Sequence, residues 1–216
     1  MPLKILYEDD TVSAVDKTAG IDAEQISGRV HRLDKDTSGV LLLAKSDGVK
    51  QFLQKQFQER KVQKTYICLV VGTIKEDNGR VETLLGRSPA DRRKQRVYPL
   101  GNPQTEGMPA GRQGRRDAIT EYRVLKRYIN YTLLEVIPKT GRKHQIRAHM
   151  VHLGHPIAGD KLYGFKNQSV PTNLERQFLH AKSLSITMPN GKKKKFTSEL
   201  PQDLQKVLDA LSMLEE

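Results

Sequence analysis

Val30-His31-Arg32-Leu33-Asp34-Lys35-Asp36-Thr37-Ser38-Gly39-Val40-Leu41-Leu42-Leu43-Ala44-Lys45 is the stretch on which the reading of this 216-residue chain turns. A polar cluster leads into a turn at Ser38-Gly39, and five apolar residues follow. An unbroken apolar run of that length after a turn predicts a buried central strand. Asp34 then lies on a loop clamped to the sheet, with Arg32 two residues before it. A charged loop on a rigid scaffold is where catalytic groups concentrate. Taken alone, His31–Asp34 reads as a solvated turn with an Arg–Asp pair; only the wider context points elsewhere.

Upstream, Leu3–Tyr7 and Thr11–Val15 predict a short hairpin around Glu8-Asp9-Asp10. Downstream, Ser46 suits a helix N-cap with Asp47 in the first turn. Val49, Phe52, Leu53 and Phe57 recur at helical spacing, so an amphipathic helix is expected to cover the sheet. Lys50, Lys55, Glu59 and Arg60 form its solvated face. Lys64–Thr73 reads as a strand with Tyr66, Cys68 and Val70 on one side. Further strands are expected at Arg80–Leu85 and Gln95–Leu100, then an antiparallel pair, Ala118–Arg127 and Tyr131–Pro138, turned at Ile129-Asn130.

Thr140 is expected to cap a helix running to about Leu153, with Ile146, Met150 and Leu153 as its apolar stripe. Arg142, Lys143 and Arg147 load its first turns. Phe178–Met188 and Lys195–Thr197 are late strands around Pro189-Asn190-Gly191, and Pro201 starts a final helix with Leu204, Val207, Leu208, Leu211 and Leu214 on one face. Mostly antiparallel strands with a few covering helices give an α+β fold with a mixed sheet. The length suits a single domain over residues 1–216, with a flexible basic insertion at about 101–116. Residues 102–114 hold three Gly and two Pro.

Lys and Arg number 37 against 25 Asp and Glu, a net charge of +12 that favours a polyanionic partner, nucleic acid before membrane. Between Arg87 and Arg127 stand eleven cations and four carboxylates, a plausible RNA clamp or simply a solubilising insertion. Lys192–Lys195 reads first as a solvated turn and second as a phosphate contact. No apolar stretch approaches the roughly 20 residues that span a bilayer. The acidic N-terminus is no signal peptide. Cys68 is the only cysteine and reads as a buried thiol, so a reducing cytoplasm is expected. Nothing demands an oligomer, and a monomer is expected.

Three blocks, in order, resemble the RluA-type pseudouridine synthases. They are His31-Arg32-Leu33-Asp34 with its Thr-Ser-Gly and strand, Lys64-Thr65-Tyr66, and Thr140–His149 followed by Leu153–Asp160. The resemblance runs from about Leu3 to about Leu208. Lys17-Thr18-Ala19-Gly20 is similar to the family's Lys-Pro-Ala-Gly, with Thr in place of Pro. Only Ile21–Arg29 separate it from His31–Asp34, where relatives carry a longer segment. The resemblance implies the pseudouridine synthase fold with a central active-site cleft. It also implies isomerisation of uridine in structured RNA, ribosomal or transfer. No S4-like domain precedes Leu3, so the catalytic domain itself is expected to hold the RNA.

That reaction breaks the bond from ribose to N1, turns the base and rejoins it through C5, with no metal or redox cofactor. A carboxylate can serve as nucleophile or proton acceptor, and the resemblance assigns Asp34. A buried carboxylate needs a cation beside it, and the resemblance supplies Arg147, whose fork suits a carboxylate. Tyr66 matches the family tyrosine that stacks on the uracil and relays the C5 proton. Arg32 would help displace the target base. Arg142, His144 and Gln145, near a helix start, are candidate RNA contacts.

His144, His149, His152 and His155 crowd into twelve residues, yet only His149 and His152 share a helical face. No Cys or carboxylate completes a tetrahedral set, so no metal site is expected and a metal-dependent nuclease lacks its cluster. The alternative is an RNA-binding protein on the same fold with weak or lost catalysis. The short segment before Arg29 favours it; Asp34, Tyr66 and Arg147 argue against it.

Overall fold

The computed structural model describes residues 3–100 and 114–212. The expected insertion at 101–116 therefore lies almost wholly outside the described residues, as does Leu214. The chain forms two compact units, residues up to 67 with 179–206, and residues 68–178 with those from 207 onward.

In the first unit, β1 (Lys4–Glu8) and β2 (Val12–Lys17) form the expected hairpin, and β2 pairs antiparallel with β3 (Ser38–Ala44). β3 then pairs in parallel with β9 (Leu179–Thr187) through Ser38↔His180 and Gly39↔Ala181. β9 also carries β10 (Lys193–Thr197), antiparallel. The expected strand is thus an interior one, and both its faces are covered. Val40 and Leu42 pack with Val12, Ala14, Leu53, Leu184, Ile186 and Phe196. Leu41 faces the other way, with Val15, Ala23, Leu33 and Ala181. Two covered faces explain why the sequence there does not alternate.

Gly39 is required by the sheet itself. Its φ is 114°, and a side chain there would run into the Ala181 carbonyl. The turn that precedes the strand sits at Lys35-Asp36, slightly before the expected Ser38-Gly39. α1 (Asp47–Gln58) begins as expected: Ser46 Oγ accepts from the Val49 amide at 3.4 Å, and Leu53 is fully buried.

β4 (Gln63–Val71) begins in the first unit and ends in the second. The second unit's strands run in the order β4, β8 (Tyr131–Pro138), β7 (Arg116–Tyr128), β5 (Asn78–Arg87) and β6 (Gln95–Pro99). Cys68 is buried, as expected. β7 and β8 turn at Asn130, whose φ of 65° suits an Asn.

α2 spans Gln145–His152 with His144 at its cap position, and so starts four residues later than a cap at Thr140 led one to expect. Gln145 is the reason. Its Oε1 accepts from the Thr140 hydroxyl (2.7 Å) and the Arg142 amide (3.0 Å), holding residues 140–144 as a loop. His144, with φ 52°, makes the entry into the helix. α3 (Gln202–Asp209) buries Leu204 and Val207. Mixed, mostly antiparallel strands with three α-helices among the described residues match the expected α+β class. No helix among the described residues is long and apolar enough to cross a membrane.

Candidate active site

Asp34 sits on a loop held from several sides within the first unit. Leu33 beside it is 5% exposed and packs in the cluster of Leu41 and Ala181. The Thr37 amide donates to the Asp34 carbonyl at 3.0 Å, closing the turn. The Lys35 carbonyl accepts from the Gly20 amide (3.0 Å) and from Lys17 Nζ (2.9 Å). Lys17 is fully buried, and its ammonium also reaches the carbonyls of Thr18 (3.0 Å) and Ile21 (2.9 Å). One buried cation thus ties the segment after β2 to the residue following Asp34. Ser38 anchors the far end: its hydroxyl lies 3.0 Å from His180 Nδ1. His180 Nε2 faces the Ser198 carbonyl at 3.2 Å, so Nε2 carries a proton, and in the neutral ring Nδ1 accepts from Ser38.

His31 has a supporting part. Its Nε2 accepts from the Leu42 amide at 3.1 Å, and its ring stacks on Phe57 with centroids 5.0 Å apart. Burial, and then the charge of Lys64, push its pKa down to about 3, so the ring is a neutral acceptor at physiological pH. Arg32 points the other way: it is exposed and pairs with Glu24 at 3.1 Å.

Tyr66, on β4, packs against the cluster that holds Leu33. Burial, and then the Asp34 carboxylate, push its hydroxyl well above the ordinary phenol value. Asp34 and Tyr66 are therefore electrostatically coupled within one unit. The hydroxyl stays protonated beside the carboxylate.

In the second unit, Arg147 on α2 is buried and forms a forked pair with Asp160, Nε to Oδ2 at 2.7 Å and Nη2 to Oδ1 at 2.8 Å. The Leu162 and Tyr163 amides also donate to Oδ1, each at 2.9 Å. Burial alone would push the Asp160 carboxyl up. The Arg147 hydrogen bonds and charge, with the two amides, outweigh it and hold the group below the usual carboxylate value. The guanidinium lies 5.0 Å from the centre of the Tyr163 ring, which His144 meets edge-on. Asp160 and Tyr163 had no assigned role in the sequence. Asp160 lies 13 residues beyond Arg147, and no helical or strand period links the two.

The remaining candidates divide. Lys143 is exposed, and Arg142 is half-buried with its Nε on the Asp117 carbonyl at 2.9 Å. His144 Nδ1 lies 3.2 Å from the Tyr163 hydroxyl. Gln145 is 4% exposed, and its Nε2 donates to the Ile119 carbonyl and Thr120 Oγ1 at 3.0 and 2.9 Å. Its amide is spent inside the protein. It acts on the loop that presents Arg142 and Lys143, from beneath.

The histidine cluster is dispersed in the same way. His149 is fully buried between Thr120 Oγ1 (2.8 Å) and Thr83 Oγ1 (3.0 Å), and burial, then the neighbouring His152, lower its pKa to about 4. His155 Nδ1 faces the Val71 carbonyl at 2.9 Å. Among the described residues no three His, Cys, Asp or Glu groups converge as a metal site would need.

A family profile described as RNA pseudouridylate synthase matches residues 15–152. An uncharacterized RNA pseudouridine synthase of Aquifex aeolicus is 39% identical over 203 residues, covering 81% of this chain and 60% of the relative. Ribosomal large subunit pseudouridine synthase D of Nitrosomonas europaea is 37% identical over 244 residues, covering 99% of this chain and 67% of the relative. The chain spans only 55% of a further relative from Chloroflexus aurantiacus, so it is shorter than the curated proteins it resembles. Among solved structures, human RNA Pseudouridylate Synthase Domain Containing 1 shares the fold, with a TM-score of 0.80 at 24% identity over 100% of this chain and 91% of that one. The motif blocks, the loop that carries Asp34 and these matches lead to one assignment: the chain belongs to the RNA pseudouridylate synthase family.

Proposed function

We propose that this protein isomerises uridine to pseudouridine in structured RNA, ribosomal or transfer, with Asp34 as the reacting carboxylate. The coupling of Asp34 to Tyr66, on a loop fixed by Lys17 and Leu33, is the observation that carries the reading. Asp34 acts on the sugar as nucleophile or proton acceptor while the bond from ribose to N1 breaks. The base turns and bonds through C5, whose hydrogen must then leave as a proton. A Tyr66 hydroxyl held neutral cannot begin as a phenolate. It can take that proton only while passing on its own, and Asp34, freed from the sugar, is the acceptor at hand.

Arg147 takes the role of the charged partner that the family resemblance gives it, with Asp160 fixing its fork. Arg32 helps to displace the base, and Arg142 and His144 contact the RNA backbone. The same reading makes the acting form a cytoplasmic monomer that needs no metal. Mapping pseudouridines in total RNA from cells with and without the gene tests it. The loss of discrete sites on deletion, restored by the wild-type gene, is the expected result. An unchanged map would leave an RNA-binding protein of the same fold as the better description.

A further inference from the structure

The run Lys192-Lys193-Lys194-Lys195 plays no part in the chemistry above, and its setting in the first unit is unusual. Among the described residues β10 is an edge strand paired only with β9, in the register Lys193↔Thr187 to Thr197↔Ser183. Phe196 points inward and is 3% exposed, while Lys193 and Lys195 are exposed on the opposite face of the strand. Lys194, on the Phe196 side, is occupied: its Nζ sits 3.2 Å from the centre of the Tyr7 ring. No ion pair among the described residues engages Lys192, Lys193 or Lys195.

This end of the sheet carries a second source of positive charge. Gln56 on α1 donates to the Thr187 carbonyl at 2.8 Å and accepts from the Thr187 amide at 3.0 Å. Thr187 is the residue opposite Lys193. The Gln56 clasp therefore fixes the last turn of α1, with Lys55, Arg60 and Lys61, to the same end as the lysine run. Glu59 is the acid of that turn, and it already bridges Lys61 (2.7 Å) and Lys55 (3.9 Å). Besides Lys194 and Lys45, six cations stand at this end. Its acids are Glu59 and the Glu8-Asp9-Asp10 turn, where Glu8 pairs with Lys45 at 2.9 Å and Asp9 accepts from the Tyr7 hydroxyl at 2.8 Å. The excess therefore stands at Lys192, Lys193 and Lys195, which join no ion pair among the described residues. Guarding an exposed edge needs only a lysine or two. A polyanion is the partner that such an excess fits.

We propose that Lys192, Lys193 and Lys195, with the end of α1, form a phosphate-binding surface that grips a helical arm of the RNA away from the reacting uridine. The proposal rests on the RNA substrate proposed above and adds where that RNA is held. Along β9, seven residues separate His180, opposite Ser38, from Thr187. At about 3.3 Å per residue the surface stands roughly 23 Å along the sheet from the point where the Asp34 loop enters β3. Contacts at that distance touch nucleotides beyond the flipped base, so they serve affinity and not the bond-breaking step.

The test compares the full-length protein with a K192Q/K193Q/K195Q variant. Binding to a labelled RNA stem–loop of about two helical turns is measured across a salt series, and tritium release is measured on long ribosomal RNA. The log–log salt slope is expected to flatten by roughly 2–3, at about 0.7–0.9 per lost contact. KM for the long RNA should rise while kcat stays unchanged. K194Q, whose ammonium is held over Tyr7, should leave the slope alone. If the triple variant aggregates through its bared edge, the single K193Q and K195Q variants must each flatten the slope by about one contact. An unchanged slope overturns the proposal, and so does a variant that loses only its binding to phosphatidylserine vesicles. A flattened slope in a protein that forms no pseudouridine would overturn the catalytic reading and leave this surface standing.

Discussion

Tyr66 and His31 show how two polar residues near one loop divide its work. Tyr66→Phe keeps the ring that packs beside Leu33 and removes only the coupled hydroxyl. Folding and RNA binding should be preserved while turnover falls by about 10²–10⁴-fold, the usual worth of acid–base participation. Single-turnover kinetics at saturating RNA checks this, and a wild-type rate would make Tyr66 a packing residue. His31 should appear in stability instead. Its folded pKa of about 3 lies below the ordinary 6.5, so at intermediate pH the unfolded chain binds the proton and the folded chain does not. Its contribution is full above about 6.5 and is lost as pH falls towards 3. His149, lowered to about 4, adds to the loss in the same window. His31→Gln, whose amide oxygen can still accept from Leu42, should therefore reduce the acid slope of urea-unfolding midpoints without abolishing it. An unaltered slope would show that His31 does not stay neutral in the fold.

At the scale of elements, legibility followed the source of each signal. β3 could be read because burial on both faces leaves a run of apolar residues, and α1 because Ser46 caps it and Val49, Phe52, Leu53 and Phe57 recur at helical spacing. α2 was misplaced at its start. A good cap residue at Thr140 is outweighed by a side chain five positions later that claims its hydroxyl, and local propensity does not register such a contact. The Arg147–Asp160 fork was hidden for the same reason, since it joins α2 to a loop with no periodic relation to it. Asp160→Asn tests the weight of that fork. It leaves a buried guanidinium with half its partner, and such losses typically cost about 3–5 kcal/mol. Urea unfolding of the variant should show a destabilisation of that order. A loss below about 1 kcal/mol would mean that the pair is solvent-screened and does little to hold α2.

For the whole molecule, the net charge of +12 pointed to a polyanion from composition alone, and the order of the three motif blocks pointed to the family. Which of the polar candidates face outward could not be read that way: the neutral Gln145 proved internal, while Arg142 and Lys143 remained on the loop it supports. Neutralising Arg142 and Lys143 together should weaken RNA binding and flatten its log–log salt slope by roughly 1.4–1.8, two contacts' worth. An unchanged slope would turn that loop away from the RNA. The most direct measurement is tritium release from C5-labelled RNA by Asp34→Asn and Asp36→Asn proteins, at equal amounts of folded protein. Asn keeps the shape of Asp34 but can serve as neither nucleophile nor proton acceptor, so release should vanish while RNA binding persists. Asp36, exposed and two residues along the same turn, should lose at most what a surface hydrogen bond is worth, about 0.5–1.5 kcal/mol. Release near the wild-type rate from Asp34→Asn would contradict catalysis by Asp34.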